Sequence, residues 1–130
     1  MAYYLDTSAL VKLVVQEAET AALRAWLHPS LDLVSCDLSR TELVRAVRRV
    51  APDRLQDIRA VLDGLILLEV PTSTFESAGR LGPDGLRSLD AIHLAAALGL
   101  GDDLEGIVSY DEPFAQAARL QGVRVLAPGA

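Results

Sequence analysis

Four carboxylates, Asp6, Glu42, Asp90 and Asp111, sit in comparable places along this 130-residue chain. Asp6 closes an apolar run, Ala2 to Leu5, and precedes residues with helical spacing. Glu42 and Asp90 each fall in the first turn of an expected helix. Asp111 follows an apolar strand-like run and precedes Glu112-Pro113, residues suited to a first helical turn. All four acids therefore lie near helix N-termini, and at least two lie just beyond the carboxyl end of a strand. In an open parallel sheet that edge is where ligand crevices form. Four acids meeting there repel one another, and helix dipoles offset only part of that repulsion. A hard divalent cation, Mg²⁺ or Mn²⁺, matches an all-carboxylate crevice. Water bound to such an ion is more acidic, and the ion offsets charge on a phosphate. The chemistry indicated is metal-assisted hydrolysis of a phosphodiester.

Each acid also has a purely structural explanation. Asp6 and Asp111 suit N-caps. Glu42 completes a capping box with Ser39. Asp90 complements a helix dipole. Taken singly these roles suffice, and it is the joint placement that favours a metal site.

Neighbouring residues carry weaker signals. Thr7 and Ser8 offer hydroxyls or N–H groups to a phosphate or to Asp6, or simply start a helix. Ser109 is placed to orient a metal-bound water, or is an ordinary strand-end hydroxyl. Arg87, one turn before Asp90, either meets a substrate phosphate or is a solvated loop residue. His93 shares a helix face with Asp90. A second acid-x-x-His unit is absent, and only His28 and Cys36 remain as soft ligands, so zinc is not expected and His93 reads as a packed residue. Cys36 reads as a buried small apolar residue, and as the sole cysteine it can form no disulfide within the chain. Arg45, Arg48 and Arg49 read as a solvated helix face, with a nucleic-acid path as the alternative. Leu55, Ile58, Val61 and Leu62 form an apolar stripe suited equally to the core or to a partner groove.

The elements that must position these residues follow from periodicity. Strands are expected at Ala2 to Leu5, Leu31 to Ser35, Leu65 to Val70, Ile107 to Ser109 and Val123 to Val125. Helices are expected over Ala9 to Gln16, Ala18 to Leu27, from Ser39 to Pro52, from Pro52 to Gly64, and from Thr72 to Leu81. Two more follow: Leu89 to Leu100, capped by Ser88, and Asp111 to Leu120. Gly82-Pro83-Asp84-Gly85 is a loop, and Pro128 to Ala130 a frayed tail. Short apolar strands alternating with helices predict an α/β fold around a parallel sheet of four or five strands. No linker or repeat divides the chain, so residues 1–130 are expected to form one domain.

Composition agrees with such a core. Apolar residues make up 51% of the chain and aromatics 5%, so Leu, Val, Ala and Ile must fill the interior. A net charge of −6 argues against a broad basic surface for nucleic acid. A cation at the acidic site would let an acidic protein meet a phosphate. The start shows no signal-peptide pattern, and every apolar run is shorter than the ~18–20 residues of a membrane span. A cytoplasmic protein without membrane association is expected.

Four segments together resemble the motifs of PIN-domain proteins. They are Tyr4-Leu-Asp6-Thr7-Ser8-Ala-Leu-Val-Lys12, Ser39-Arg-Thr-Glu42-Leu-Val-Arg-Ala46, Leu86-Arg-Ser-Leu-Asp90-Ala-Ile-His93-Leu-Ala95 and Val108-Ser-Tyr-Asp111-Glu-Pro-Phe114-Ala115. The third is the most specific, and order, spacing and length agree over nearly the whole chain. A single domain of this size resembles the toxin of VapBC toxin–antitoxin systems. The resemblance implies the PIN-like fold and Mg²⁺ or Mn²⁺ at Asp6, Glu42, Asp90 and Asp111. It implies endonucleolytic cleavage of RNA that inhibits translation and growth. It also implies a homodimer and a cognate VapB-like antitoxin whose extended C-terminal segment places an arginine in the acidic site. Asp111 occupies the most variable of the four positions.

Three other readings compete. An aspartyl phosphatase wants a second Asp two residues after Asp6, where Ser8 stands. A receiver-like phosphoacceptor wants a late lysine, and Lys12 is the only lysine. A non-catalytic module of the same fold would be marked by lost acids, and all four are present. Within the family, an RNA-processing nuclease remains the alternative to a toxin.

Overall fold

A computed structural model describes residues 1–130. Five strands form one sheet: β1 (Ala2–Leu5), β2 (Asp32–Cys36), β3 (Ile66–Leu68), β4 (Leu104–Val108) and β5 (Val125–Leu126). Every pairing is parallel and the order is β3-β2-β1-β4-β5. Seven α-helices connect and cover it: α1 (Thr7–Val14), α2 (Thr20–Trp26), α3 (Leu38–Val50), α4 (Ile58–Asp63), α5 (Thr72–Ala78), α6 (Ser88–Leu98) and α7 (Glu112–Leu120). The expected α/β architecture with a central parallel sheet is what the chain adopts.

Parallel strands need covered faces, and alternation along the central strands supplies two cores. Tyr4, Val34, Cys36 and Ile107 point to one side, against Leu94, Ala97, Phe114, Ala117 and Ala118 of α6 and α7. Leu5 and Val108 point to the other, against Ala9, Leu10, Val14, Leu23, Leu43, Val47 and Ile58 of the first four helices. Burying each such Leu or Ile side chain stabilises by about 1.5–3 kcal/mol. Between β4 and β5 the backbones come close: a Cβ on Gly106 would lie 2.8 Å from a Leu126 methyl and 3.1 Å from the Arg124 carbonyl oxygen. No helix is long and apolar enough to cross a membrane.

Four local expectations are corrected. Ser39 does not cap a helix: α3 already starts at Leu38, and the buried Ser39 hydroxyl is 2.6 Å from that of Ser35. Ser88 likewise lies within α6, whose N-cap position is Arg87. The stretch expected as one helix from Pro52 is a 3₁₀ segment, Pro52–Asp57, followed by α4. The tail is not frayed. Tyr110 donates its hydroxyl to the Pro128 carbonyl at 2.8 Å, and Gly129, at φ +85°, lets the chain pass where a Cβ would be 2.7 Å from Ala22 Cβ.

Candidate functional site

The sheet order changes direction between β1 and β4, since β2 and β3 lie to one side of β1 and β4 and β5 to the other. Such a switch point opens a crevice beyond the strand ends. Register then brings the site residues together. Leu5 pairs with Val108, so the next residues, Asp6 and Ser109, emerge side by side. Ser109 Oγ donates to Asp6 Oδ2 at 2.6 Å, and Ser8 Oγ donates to Asp6 Oδ1 at 2.6 Å. Asp6 is also the N-cap of α1, accepting from Ala9 N at 3.2 Å, and is 6% exposed. Its pKa is raised by burial, against the hydrogen bonds of Ser109, Ser8 and Ala9 and the charge of His93.

Glu42 makes no cap contact at the start of α3. Thr7 Oγ1 donates to Glu42 Oε1 at 3.0 Å, and His93 Nε2 donates to the same oxygen. The other ring nitrogen, Nδ1, is 2.6 Å from the Tyr4 hydroxyl and 3.6 Å from Cys36 Sγ. Burial alone would push the His93 pKa down, but hydrogen bonds and charges from Cys36 and Glu42 hold it up at about 10. These partners favour the protonated ring, with Nε2 against Glu42 and Nδ1 between the Tyr4 hydroxyl and the Cys36 sulfur. Glu42 is correspondingly lowered: burial opposes its ionisation, and His93 and Thr7 overcome that. Thus His93 is the packed residue its sequence context suggests, and it also holds Glu42. Tyr4 was not foreseeable as part of the site. A tyrosine at a buried strand position, whose hydroxyl must find a partner, was the only available signal.

Asp90, in the first turn of α6, is half-buried and is acted on by charge without a hydrogen bond. Burial raises its pKa first, then the negative charges of Asp111 and Glu42; Arg87 and His93 pull it back. Asp111 is the N-cap of α7, accepting from Phe114 N at 3.5 Å, and its own N–H donates to Ser109 Oγ. Arg87 is exposed, and with Asp90, Pro113 and Gln116 it lines a shallow depression between α6 and α7. Ser109 thus joins Asp6 to the backbone of Asp111, Thr7 and His93 hold Glu42, and Asp90 feels the charges of Asp111 and Glu42 without a hydrogen bond to either.

As the side chains stand, no three His, Cys, Asp or Glu groups are placed to hold an ion together. The carboxylates of Asp6 and Glu42 are turned onto hydroxyls and His93 instead. The donor set nevertheless fits a hard divalent ion in kind: carboxylate oxygens, with hydroxyls behind them and mutual repulsion at Asp90. Mg²⁺ takes only about one or two carboxylates directly and keeps waters, so three converging acids are not required. No buried side-chain nitrogen or oxygen lacks a partner, so the network is complete within the chain.

Comparison with known proteins bears on the family and the fold. The family described as PIN domain matches residues 3–120. A relative from Mycobacterium tuberculosis, Ribonuclease VapC46, is 43% identical over 127 residues, covering 98% of each chain. Among solved structures, the M. tuberculosis VapC20, titled a sarcin-ricin loop cleaving toxin, superposes with a TM-score of 0.74 at 16% identity. That match covers 89% of this chain and 95% of the other. A toxin–antitoxin complex from Klebsiella pneumoniae matches with a TM-score of 0.69 and 22% identity over 98% of both chains.

Proposed function

This chain belongs to the PIN-domain family and is VapC-like, and from that premise we propose that it is a Mg²⁺- or Mn²⁺-dependent endoribonuclease, the toxin of a toxin–antitoxin pair. The observation that supports the reading is that Asp6 and Asp111 cap helices at the strand ends flanking the switch point, while Asp90 is raised by burial and then by the charges of Asp111 and Glu42. These four acids would hold the ion. When bound, it supplies Lewis acidity toward the phosphate and lowers the pKa of water for attack.

The chain's own groups prepare that site. Ser8 and Ser109 fix the Asp6 carboxylate, which projects from the rigid junction of β1 and α1. Thr7 and His93 fix Glu42, and Tyr4 backs His93. Arg87, exposed beside Asp90, would meet a phosphate oxygen of the RNA. Preorganised donors and carboxylates of this sort avoid reorganisation during the reaction.

A VapB-like antitoxin is the proposed partner, and a homodimer the proposed assembly. Val44 of α3, Leu55 of the 3₁₀ segment, and Ile58 and Leu62 of α4 line an open depression, together with Arg40 and Arg59. Val44 and Leu55 are exposed there, at 37% and 38%. Of the apolar stripe, Ile58, Val61 and Leu62 pack in or against the core and only Leu55 is exposed, so the proposed partner surface is Leu55 with Val44, suited to a segment combining apolar and acidic side chains.

The test is cleavage of RNA by the purified protein with Mg²⁺, with Mn²⁺ and with EDTA, beside Asp90→Asn. Metal-dependent cuts lost in the variant are expected, together with growth arrest on expression that the same substitution relieves. Cleavage that persists in EDTA would refute the metal-dependent reading.

A further inference from the structure

We propose that Arg45, Arg48 and Arg49 form a strip that binds the phosphate backbone of single-stranded RNA and leads it along α3 from the acidic site. The proposal rests on the nuclease reading and adds the path by which the substrate is held.

Helical spacing sets the alignment. Glu42, Arg45 and Arg49 stand at i, i+3 and i+7, on one line of α3, and Arg48 lies beside them. At about 1.5 Å per residue, the strip runs roughly 10 Å from Glu42. All three arginines are exposed, and together they are the only residues lining a depression on this flank.

The three have no acidic partner, as is also true of Arg24, Arg59, Arg80, Arg87 and Arg124, but only these three are clustered on one helix. Arg40 pairs with Asp37, Arg54 with Asp57, Arg119 with Glu112, and Lys12 with Glu17 and Glu19. Glu42 is the natural i−3 partner for Arg45, but its carboxylate is held by Thr7 and His93. Arg45 is thereby left unpaired by the same contacts that build the acidic site.

Helix stability does not explain the cluster. Arg48 and Arg49 lie in the last turn, where the helix dipole favours cations. Arg45 lies in mid-helix, and its spacing to Arg48 and Arg49 places like charges at i+3 and i+4, which costs about 0.2–0.5 kcal/mol per pair. A chain of net charge −6 that keeps three unpaired arginines in line with an acidic site has the electrostatics for a polyanion that enters that site.

The experiment measures binding of a short fluorescein-labelled oligouridylate in EDTA, so that it is not cut, across a range of salt concentrations. The variants are the triple Arg45→Gln/Arg48→Gln/Arg49→Gln and the matching triple Arg→Lys. Gln is a good helix former and the positions are exposed, so the fold should hold; circular dichroism checks it. Three lost phosphate contacts should reduce the slope of log affinity against log salt by about 2, and lower affinity about 100-fold near 0.1 M salt. The Lys triple should retain most of the slope. An unchanged slope in a folded Gln triple overturns the proposal, as does a wild-type protein that does not bind the oligonucleotide at low salt. Loss of polyglutamate binding with oligouridylate binding intact would assign the strip to an acidic polypeptide and also overturn it. Metal-dependent cleavage by the wild-type protein is scored separately. Cleavage with an unchanged slope removes only the strip, whereas absence of cleavage removes the nuclease reading.

Discussion

Replacing Asp90 with Asn should make the metal-free protein more stable while removing its activity. Asp90 is held by no hydrogen bond, so Asn forfeits none. Its pKa is raised by burial and by the Asp111 and Glu42 charges, so its ionised form is a net cost to the folded state. Half-exposed charges of this kind are worth about 0.2–1 kcal/mol each way, so the variant should gain up to roughly 1 kcal/mol. In thermal terms that is an increase of a few degrees, about 2–4 °C per kcal/mol in a larger domain and about 4–8 °C in a smaller one. The sign with pH is fixed. A carboxyl with a raised folded pKa binds protons more readily in the native state, so the wild-type protein gains stability as pH falls through that pKa. Asn cannot, so the advantage of the variant is present at neutral pH and vanishes on acidification. Divalent ions reverse the ranking. A ligand at about 100 times its Kd stabilises by about 2.7 kcal/mol, and the variant should lose most of that. Urea unfolding of both proteins, in EDTA and in Mn²⁺, at neutral and acid pH, measures every part of this. An Asn variant less stable than wild type in EDTA, or one with the full Mn²⁺ shift, would refute the placement of Asp90 in a repelling, ion-binding cluster.

Two further substitutions separate the roles of other residues. Asp6→Asn should keep the fold and slow RNA cleavage at least ~100-fold, or about 2.7 kcal/mol of barrier; near-normal cleavage by the folded variant would remove Asp6 from the site. Tyr4→Phe keeps the ring but deletes the hydroxyl 2.6 Å from His93 Nδ1. A buried ring nitrogen that loses its Tyr4 partner and keeps only the Cys36 sulfur at 3.6 Å should cost about 1–3 kcal/mol in urea unfolding. No change there would mean that Tyr4 does not support His93.

Much of the architecture follows from local signals. Short apolar runs set the five strands, the 3.6-residue period set most helices, and Gly82 to Gly85 marked a loop. The acids at Asp6 and Asp111 could be placed at strand–helix junctions because N-capping depends on only a few neighbouring residues, and both do cap in the structure. The same locality misled at Ser39-Arg-Thr-Glu42. That string matches a capping box, yet Ser39 is buried against Ser35 and Glu42 turns away. Ser35 lies only four residues before Ser39, but the turn that brings their hydroxyls together is not marked locally, and His93, 51 residues from Glu42, lies beyond any local signal.

What the sequence by itself determined is the set of elements, their order, and the presence of four acids at the starts of helices. Tertiary structure decided which strands are neighbours, and so which acids share a crevice. The β1–β4 pairing places Asp6 beside Ser109, 103 residues away in sequence, and packing of α6 over β2 brings His93 to Glu42 and Tyr4. Helix and strand preferences are summed over adjacent residues. Strand order, the buried Tyr4–His93–Glu42 chain and the unpaired Arg45 depend instead on contacts between distant segments, and those exist only once both cores have closed on the sheet.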